Sequence, residues 1–197
     1  GSGARLLFSK YRELELAIDP ARLEPLPGNV EAAEIFKQGL GRDFYGRVLE
    51  TLQQAGGYSR CSACELPRPG RRNYYVYLYD FRLDNMVAVR GLHELIERIR
   101  SDYGDARQPV DILAHSNGGL LARYYARYGT EDVLERTNPV PTFAGAAAIR
   151  RLLLVGTPNL GRTQRLSTNQ PATRPARSRN CIHMIFVFLP MLPPSWA

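Results

Sequence analysis

The chain has 197 residues, enough for one domain with a sizeable core, and its 44% apolar content is ordinary for a globular protein. Its net charge of +7 does not mark a nucleic-acid-binding domain, because residues 1–149 hold 19 Lys+Arg against 19 Asp+Glu. The surplus is Arg150, Arg151, Arg162, Arg165, Arg174, Arg177 and Arg179, which face no acid through to Ala197 and have no aromatic residue interleaved between 162 and 179, so stacking on bases has no support.

The opening "GSG", with no initiator methionine, has the look of a cloning scar or a cut fragment. Residues 1–41 carry little pattern. A short helix is predicted from Asn29, as N-cap, through "VEAAEIFKQ" to Gly39 as its stop. From there the signals become regular. In "RDFYGRVLETLQQAGG" the residues Tyr45, Val48, Leu49 and Leu52 recur at i, i+3, i+4, i+7, with Asp43 as N-cap and Gly56 as the stop, which predicts an amphipathic helix.

The loop "GGYSRCSACELPRPGRR" holds Cys61 and Cys64 as a C-x-x-C. That spacing suits half a zinc site or a redox pair. A zinc knuckle needs a second pair, though, and only Cys181 remains, while a redox motif belongs at a strand-to-helix junction. The three cysteines give no disulfide framework and read as plain thiols of a reducing compartment, which favours the cytoplasm. No metal site and no cofactor is expected.

"NYYVYLYDF", aromatic and β-branched, predicts a strand. "DNMVAVRGLHELIERIRSDYG" predicts a helix with Leu92, Leu95, Ile96 and Ile99 on one stripe, and "PVDILA" a strand apolar on both faces, as in the middle of a parallel sheet. The next helix carries Leu121, Tyr124, Tyr125 and Tyr128 at helical spacing, and "RRLLLVG" is a further short strand. Helix and strand alternate, which predicts an α/β fold with a mainly parallel sheet and right-handed crossovers. Such a sheet, ending after three or four strands, leaves an edge and an apolar face uncovered, so marginal folding or aggregation is expected. After Gly161 "RTQRLSTNQPATRPARSRN" has no period and no acid, and residues 162–197, basic and then apolar, are expected to be disordered. The break in composition at about residue 162 reads as a shifted reading frame or a wrong splice. The late apolar run "CIHMIFVFLPMLPPSWA" is cut by prolines and too short to span a bilayer, so no transmembrane segment is expected.

Between "PVDILA" and its following helix stands Ala114-His115-Ser116-Asn117-Gly118, with Gly119 next. A strand that turns into a helix this sharply needs small residues two before and two after the serine, and it holds the serine in a strained backbone conformation. Alanine takes the place of the usual first glycine. The turn lifts the Ser116 hydroxyl above the strand ends as a nucleophile, and the backbone N–H of Asn117, at a helix N-terminus, points where an oxyanion would form. His115 reads as a packing and hydrogen-bonding neighbour, since adjacent side chains at such a turn point different ways. The plainer reading is a serine that caps a helix in some other α/β fold.

Four stretches together resemble the lecithin:cholesterol acyltransferase-like family of α/β-hydrolases, in its bacterial lipase- and esterase-like form: "YLYDFRLDN", with phenylalanine where that family often has tryptophan; "LAHSNGGL"; "LLLVGTPNLG"; and "YGRVLETLQQAGGY". The resemblance covers about residues 40 to 161. It implies an α/β-hydrolase core, partial here, over residues 1–161, and serine-dependent acyl-ester hydrolysis or acyl transfer on lipid-like esters through an acyl-enzyme at Ser116. Asp80 and Arg82 read either as an ion pair at a strand end or as residues shaping the site. Gly156 to Gly161 read as a turn at its rim.

A triad in this fold runs Ser, then Asp or Glu, then His, on loops after later strands. Downstream of Ser116 the acids are Glu131, Asp132 and Glu135, all before the next strand and therefore too early. The downstream histidine is His183, the candidate base, inside the unpatterned tail. The chain is thus expected to be an incomplete and inactive fragment of such an enzyme. The alternative is a non-catalytic binding module in which a hydrolase-like core carries a basic tail that contacts anionic lipid or nucleic acid.

Overall fold

The computed structural model describes residues 18–21, 35, 37–39, 42–61, 72–133 and 136–160, together with the backbone of 184–188. It is an α/β arrangement with two sheets. The smaller pairs β1 (Gln38–Gly39) with β2 (Arg42–Asp43), antiparallel. The helix expected to run to Gly39 is therefore corrected at its end: Gln38 and Gly39 spend their backbone groups on a ladder with Asp43 and Arg42 rather than on a helical turn. Residues 29–34 lie outside the described residues.

Helix α1 (Gly46–Gln54) starts later than the sequence indicated. The carbonyl of Lys37 accepts the N–H groups of Phe44, Tyr45 and Gly46, and this turn delays the first helical residue. Asp43 still reaches the helix end, its carboxylate accepting from Arg47 N at 3.2 Å, while Tyr45 occupies the cap position. The stripe predicted on α1 is the packed one: Tyr45 and Leu49 are buried with Ile35 and Tyr74, and Val48 and Leu52 pack beside them.

The larger sheet has the order β3 (Tyr58–Arg60), β4 (Arg72–Leu78), β7 (Met184–Phe188), β5 (Val110–His115), β6 (Ile149–Val155). β3 runs parallel to β4 and β5 parallel to β6, whereas β7 is antiparallel to both of its neighbours. The tail expected to be disordered is thus corrected over residues 184–188. This apolar run of β-formers fills the slot between β4 and β5, with Val187 opposite both Tyr75 and Ile112. The rest of the tail, with His183, Cys181 and the arginines beyond 161, lies outside the described residues, as does Cys64.

Helices α2 (Asn85–Tyr103) and α3 (Asn117–Tyr128) cover one face of this sheet, burying Val89, Leu92, Ile96, Ile99, Leu121 and Tyr125 against Tyr75, Ile112 and Ala114. Asp84 caps α2 by accepting from Met86 N at 2.6 Å, and Gly104 closes it in the left-handed conformation. Burial on both faces puts β5 in the interior, as its sequence indicated, but the mainly parallel sheet expected around it is corrected to a mixed one, because the inserted β7 is antiparallel to β5 and β4. β6 is the edge strand of the described sheet. Its Leu152 and Leu154 pack toward α2 and α3, while Leu153 and Val155 on the other face are each 51% exposed.

Candidate active site around Ser116

Ser116 follows β5 directly and opens α3. Its backbone sits at φ 54°, ψ −123°, a region that costs a non-glycine residue ~1–3 kcal/mol. Strand and helix together over-determine this conformation. Ser116 N donates to Val155 O at 2.9 Å, extending the β5–β6 ladder one residue into the turn, while Ser116 O accepts from Gly119 N at 3.1 Å as the helix begins. The small residues around it are buried, with Ala114 on the strand side and Gly118 and Gly119 on the helix side.

Gly119 shows why the turn needs small residues. A Cβ there would run into the side chain of Thr157, within 2.8 Å of Cγ2 and 2.9 Å of Cβ. Helix α3 therefore lies against the "GTPNLG" loop with no space for a methyl group. The loop is tied down a second time by Arg123 Nη1, which donates to Asn159 Oδ1 at 2.6 Å. The sequence placed this loop at the rim of the site but gave no sign that Thr157 touches Gly119.

The Ser116 side chain makes no capping hydrogen bond, and among the described residues the N–H groups of Asn117 and Gly118 donate to no backbone acceptor. The start of α3 therefore offers two directed donors and the positive end of a helix dipole beside a half-buried hydroxyl. Such a set can receive the negative oxygen of a tetrahedral adduct.

"YDFRLDN" lies against the other side of this helix start. Asn117 Nδ2 is 3.3 Å from Tyr79 Oη and 3.3 Å from Asn85 Oδ1. Burial pushes the Tyr79 phenol well up, so it stays a neutral hydroxyl. Asp80 and Arg82 pair with each other: Arg82 Nε stands 2.8 and 3.0 Å from the two carboxylate oxygens, and Nη2 is 2.5 Å from Oδ2. The guanidinium holds the Asp80 carboxyl below its usual range. The pair braces the turn that carries Phe81, Leu83, Asp84 and Asn85, and these four line an open cleft of about 450 Å³ together with Asn117.

His115 faces the opposite way from this cleft. Its Nδ1 lies 2.7 Å from Tyr45 Oη, and the two rings meet edge to face. Burial lowers its pKa, which favours the neutral imidazole. His93 lies between α2 and α3 with Nδ1 3.1 Å from Tyr125 Oη. Glu131 and Asp132 follow the far end of α3, a helix of 12 residues and so about 18 Å from the serine end. Glu131 there pairs with Arg136. The structure therefore brings Asn117, the neighbour of Ser116, together with Asp84 and Asn85, engages the His115 and His93 side chains with tyrosines, and leaves Glu131 and Asp132 at the other end of α3.

Among the described residues no group of three or more His, Cys, Asp or Glu is placed to hold a metal ion, and no helix is long and apolar enough to cross a membrane. Cys61 is buried, its Sγ 3.3 Å from Asn73 Oδ1. Compared with protein-family models, curated proteins and solved structures, the chain finds no match.

Proposed function

We propose that this chain is the nucleophile-bearing part of an α/β-hydrolase that cleaves or transfers the acyl group of lipid-like esters, as its resemblance to the lecithin:cholesterol acyltransferase-like family implies. The observation that carries the reading is the positive φ of Ser116, held between a buried strand and a helix whose first N–H groups are open. In this reaction Ser116 Oγ attacks the ester carbonyl. The N–H groups of Asn117 and Gly118 hold the carbonyl oxygen as it becomes negative, the alcohol leaves with a proton, and the acyl group stays on Ser116 until water or a second alcohol removes it. A plain helix-capping serine needs neither the strained φ nor an idle hydroxyl, and Ser116 has both.

The general base is the part that no described residue supplies. His115 and His93 are engaged by tyrosines, and His183 lies outside the described residues. Acylation by an activated ester is then expected to outrun deacylation. The test is p-nitrophenyl butyrate on the whole chain beside Ser116→Ala. The expected result is slow release of about one equivalent of p-nitrophenol, with a butyryl mass increment on the Ser116 peptide that the variant lacks. A folded protein with no adduct overturns the assignment. Steady turnover that the variant loses would establish a working base, and His183→Ala would be the next comparison.

A further inference from the structure

The cleft beside Ser116 has a chemical character that acyl transfer alone does not explain. It is lined by one carboxylate, two carboxamides, one aromatic ring and one leucine: Asp84, Asn85, Asn117, Phe81 and Leu83. Its polar atoms are only partly engaged. Asn117 Nδ2 reaches Tyr79 and Asn85, which leaves Asn117 Oδ1 as an open acceptor and Asn85 Nδ2 as an open donor among the described residues. Asp84 accepts from Met86 N through Oδ1, so among the described residues Oδ2 is a further open acceptor.

We propose that this cleft is a subsite for the hydroxyl-rich alcohol portion of the ester, a sugar or other polyol. The inference rests on the acyl-ester reading of Ser116 and adds the class of alcohol to it. Each hydroxyl of a polyol is donor and acceptor at once, and one open donor with two open acceptors around the same cleft suits such groups. Phe81, 40% exposed, adds an apolar wall to the same cleft, against which the C–H groups of such a ring can pack. The volume falls in the range of small-molecule clefts.

Two other occupants fit less well. An acyl chain would cover the open carboxylate and amide atoms without pairing them, which is unfavourable for each such group. A phosphate would meet the Asp84 carboxylate with no lysine or arginine among the lining residues, and the nearest guanidinium in sequence, Arg82, is bound to Asp80 through Nε and Nη2. The position is also suitable. Asn117 presents its backbone N–H to the oxyanion and its side chain to the cleft, so an alcohol held there stands next to the bond that breaks.

Saturation-transfer NMR on the whole Ser116→Ala chain tests this with three probes that each carry C–H protons: methyl β-glucoside, 1-butanol and methyl phosphate. The glucoside is expected to receive saturation and the other two to receive little. Asn85→Leu is expected to reduce the glucoside signal at least fivefold, and Phe81→Ala to reduce it severalfold, both with an unchanged circular dichroism spectrum. Preference for butanol or methyl phosphate, no transfer to any probe, or an Asn85→Leu signal equal to the parent's overturns the subsite. Acylation of Ser116 without glucoside binding would remove the subsite alone. Glucoside binding without acylation would remove the ester reading and leave a polyol-binding cleft.

Discussion

The hydroxyl of Tyr45 lies 2.7 Å from Nδ1 of His115, a contact across seventy residues that joins the start of α1 to the last residue of β5. The next residue is the strained serine, so the helix on one face of the sheet is tied to the turn that presents the hydroxyl above it. The ring of Tyr45 belongs to the same buried cluster as Leu49 and Tyr74. Removing its hydroxyl therefore tests the hydrogen bond while the packing stays.

Tyr45→Phe is expected to cost about 1 kcal/mol, the net worth of a half-buried neutral hydrogen bond. For a chain of this size that corresponds to a fall of about 2–4 °C in Tm. Thermal unfolding followed by circular dichroism measures it. An unchanged Tm would mean that the His115 imidazole finds water as readily as it finds Tyr45.

Burial lowers the pKa of His115 in the folded chain, so the unfolded chain takes up a proton first as pH falls. The associated stability is fully present above the unfolded value of about 6.5 and is lost as pH falls through the folded one. Urea midpoints are therefore expected to drop between pH 8 and pH 5.5, and to drop less in His115→Asn. Asp80, whose carboxyl is held low by Arg82, acts in the same direction but below about pH 4, outside this window. Parallel slopes for parent and variant would remove His115 from the account.

Gly119→Ala forces a methyl group into the side chain of Thr157, three of whose atoms would lie closer than 3.0 Å to it. The loop after β6 is also held by Asn159, so it has little freedom to withdraw. Overpacking of this kind costs about 1–3 kcal/mol. Because the displaced residue is in the first turn of α3, acylation of Ser116 by p-nitrophenyl butyrate is expected to fall as well, by about tenfold or more. A variant of parental stability and acylation rate would show that the loop moves aside freely.

The sequence carried the parts of the fold that periodicity can carry. The stripe Tyr45, Val48, Leu49, Leu52, the helix ended by Gly104 and the buried strand before Ser116 all follow from local pattern, because one buried face per element leaves one workable spacing. Gly118 and Gly119 likewise announced a cramped turn. What stayed hidden was long-range. Nothing local tells that Met184–Phe188 enters the sheet between β4 and β5, since a short apolar run so far along the chain from both strands carries no record of its partners. Tyr45 meeting His115 and Asn85 meeting Asn117 were hidden for the same reason: the motifs named the residues, but which side of the turn each one faces is decided by packing. Asp80 and Arg82, two residues apart, were readable as a pair because their contact is local.

At the far end of β5 a second pair across the sheet separates stability from chemistry. Between β5 and β6 the register passes from Val110↔Ile149 to Asp111↔Arg151, so Arg150 is the extra residue of a bulge. That offset lets Arg150 Nε donate to Asp111 Oδ1 at 2.8 Å while Nη2 pairs with Oδ2. The Asp111 side chain is 11% exposed, whereas that of Arg150 is 38% exposed, so the two ends of the pair are unequal. Arg150→Ala leaves a buried carboxylate without its partner and is expected to cost about 1–3 kcal/mol. Arg150→Lys recovers only part of this, because a single ammonium cannot meet both oxygens as the guanidinium fork does. Adding Asp111→Asn to Arg150→Ala is expected to cost less than the two changes summed, since the second removes the charge that the first had stranded. The pair stands about five residues, roughly 17 Å, from Ser116 along the strand. Folded Arg150→Ala protein is therefore expected to acylate Ser116 at the parental rate. A loss of acylation with unchanged urea midpoint would reverse the assignment and make Arg150 part of the chemistry rather than of the sheet.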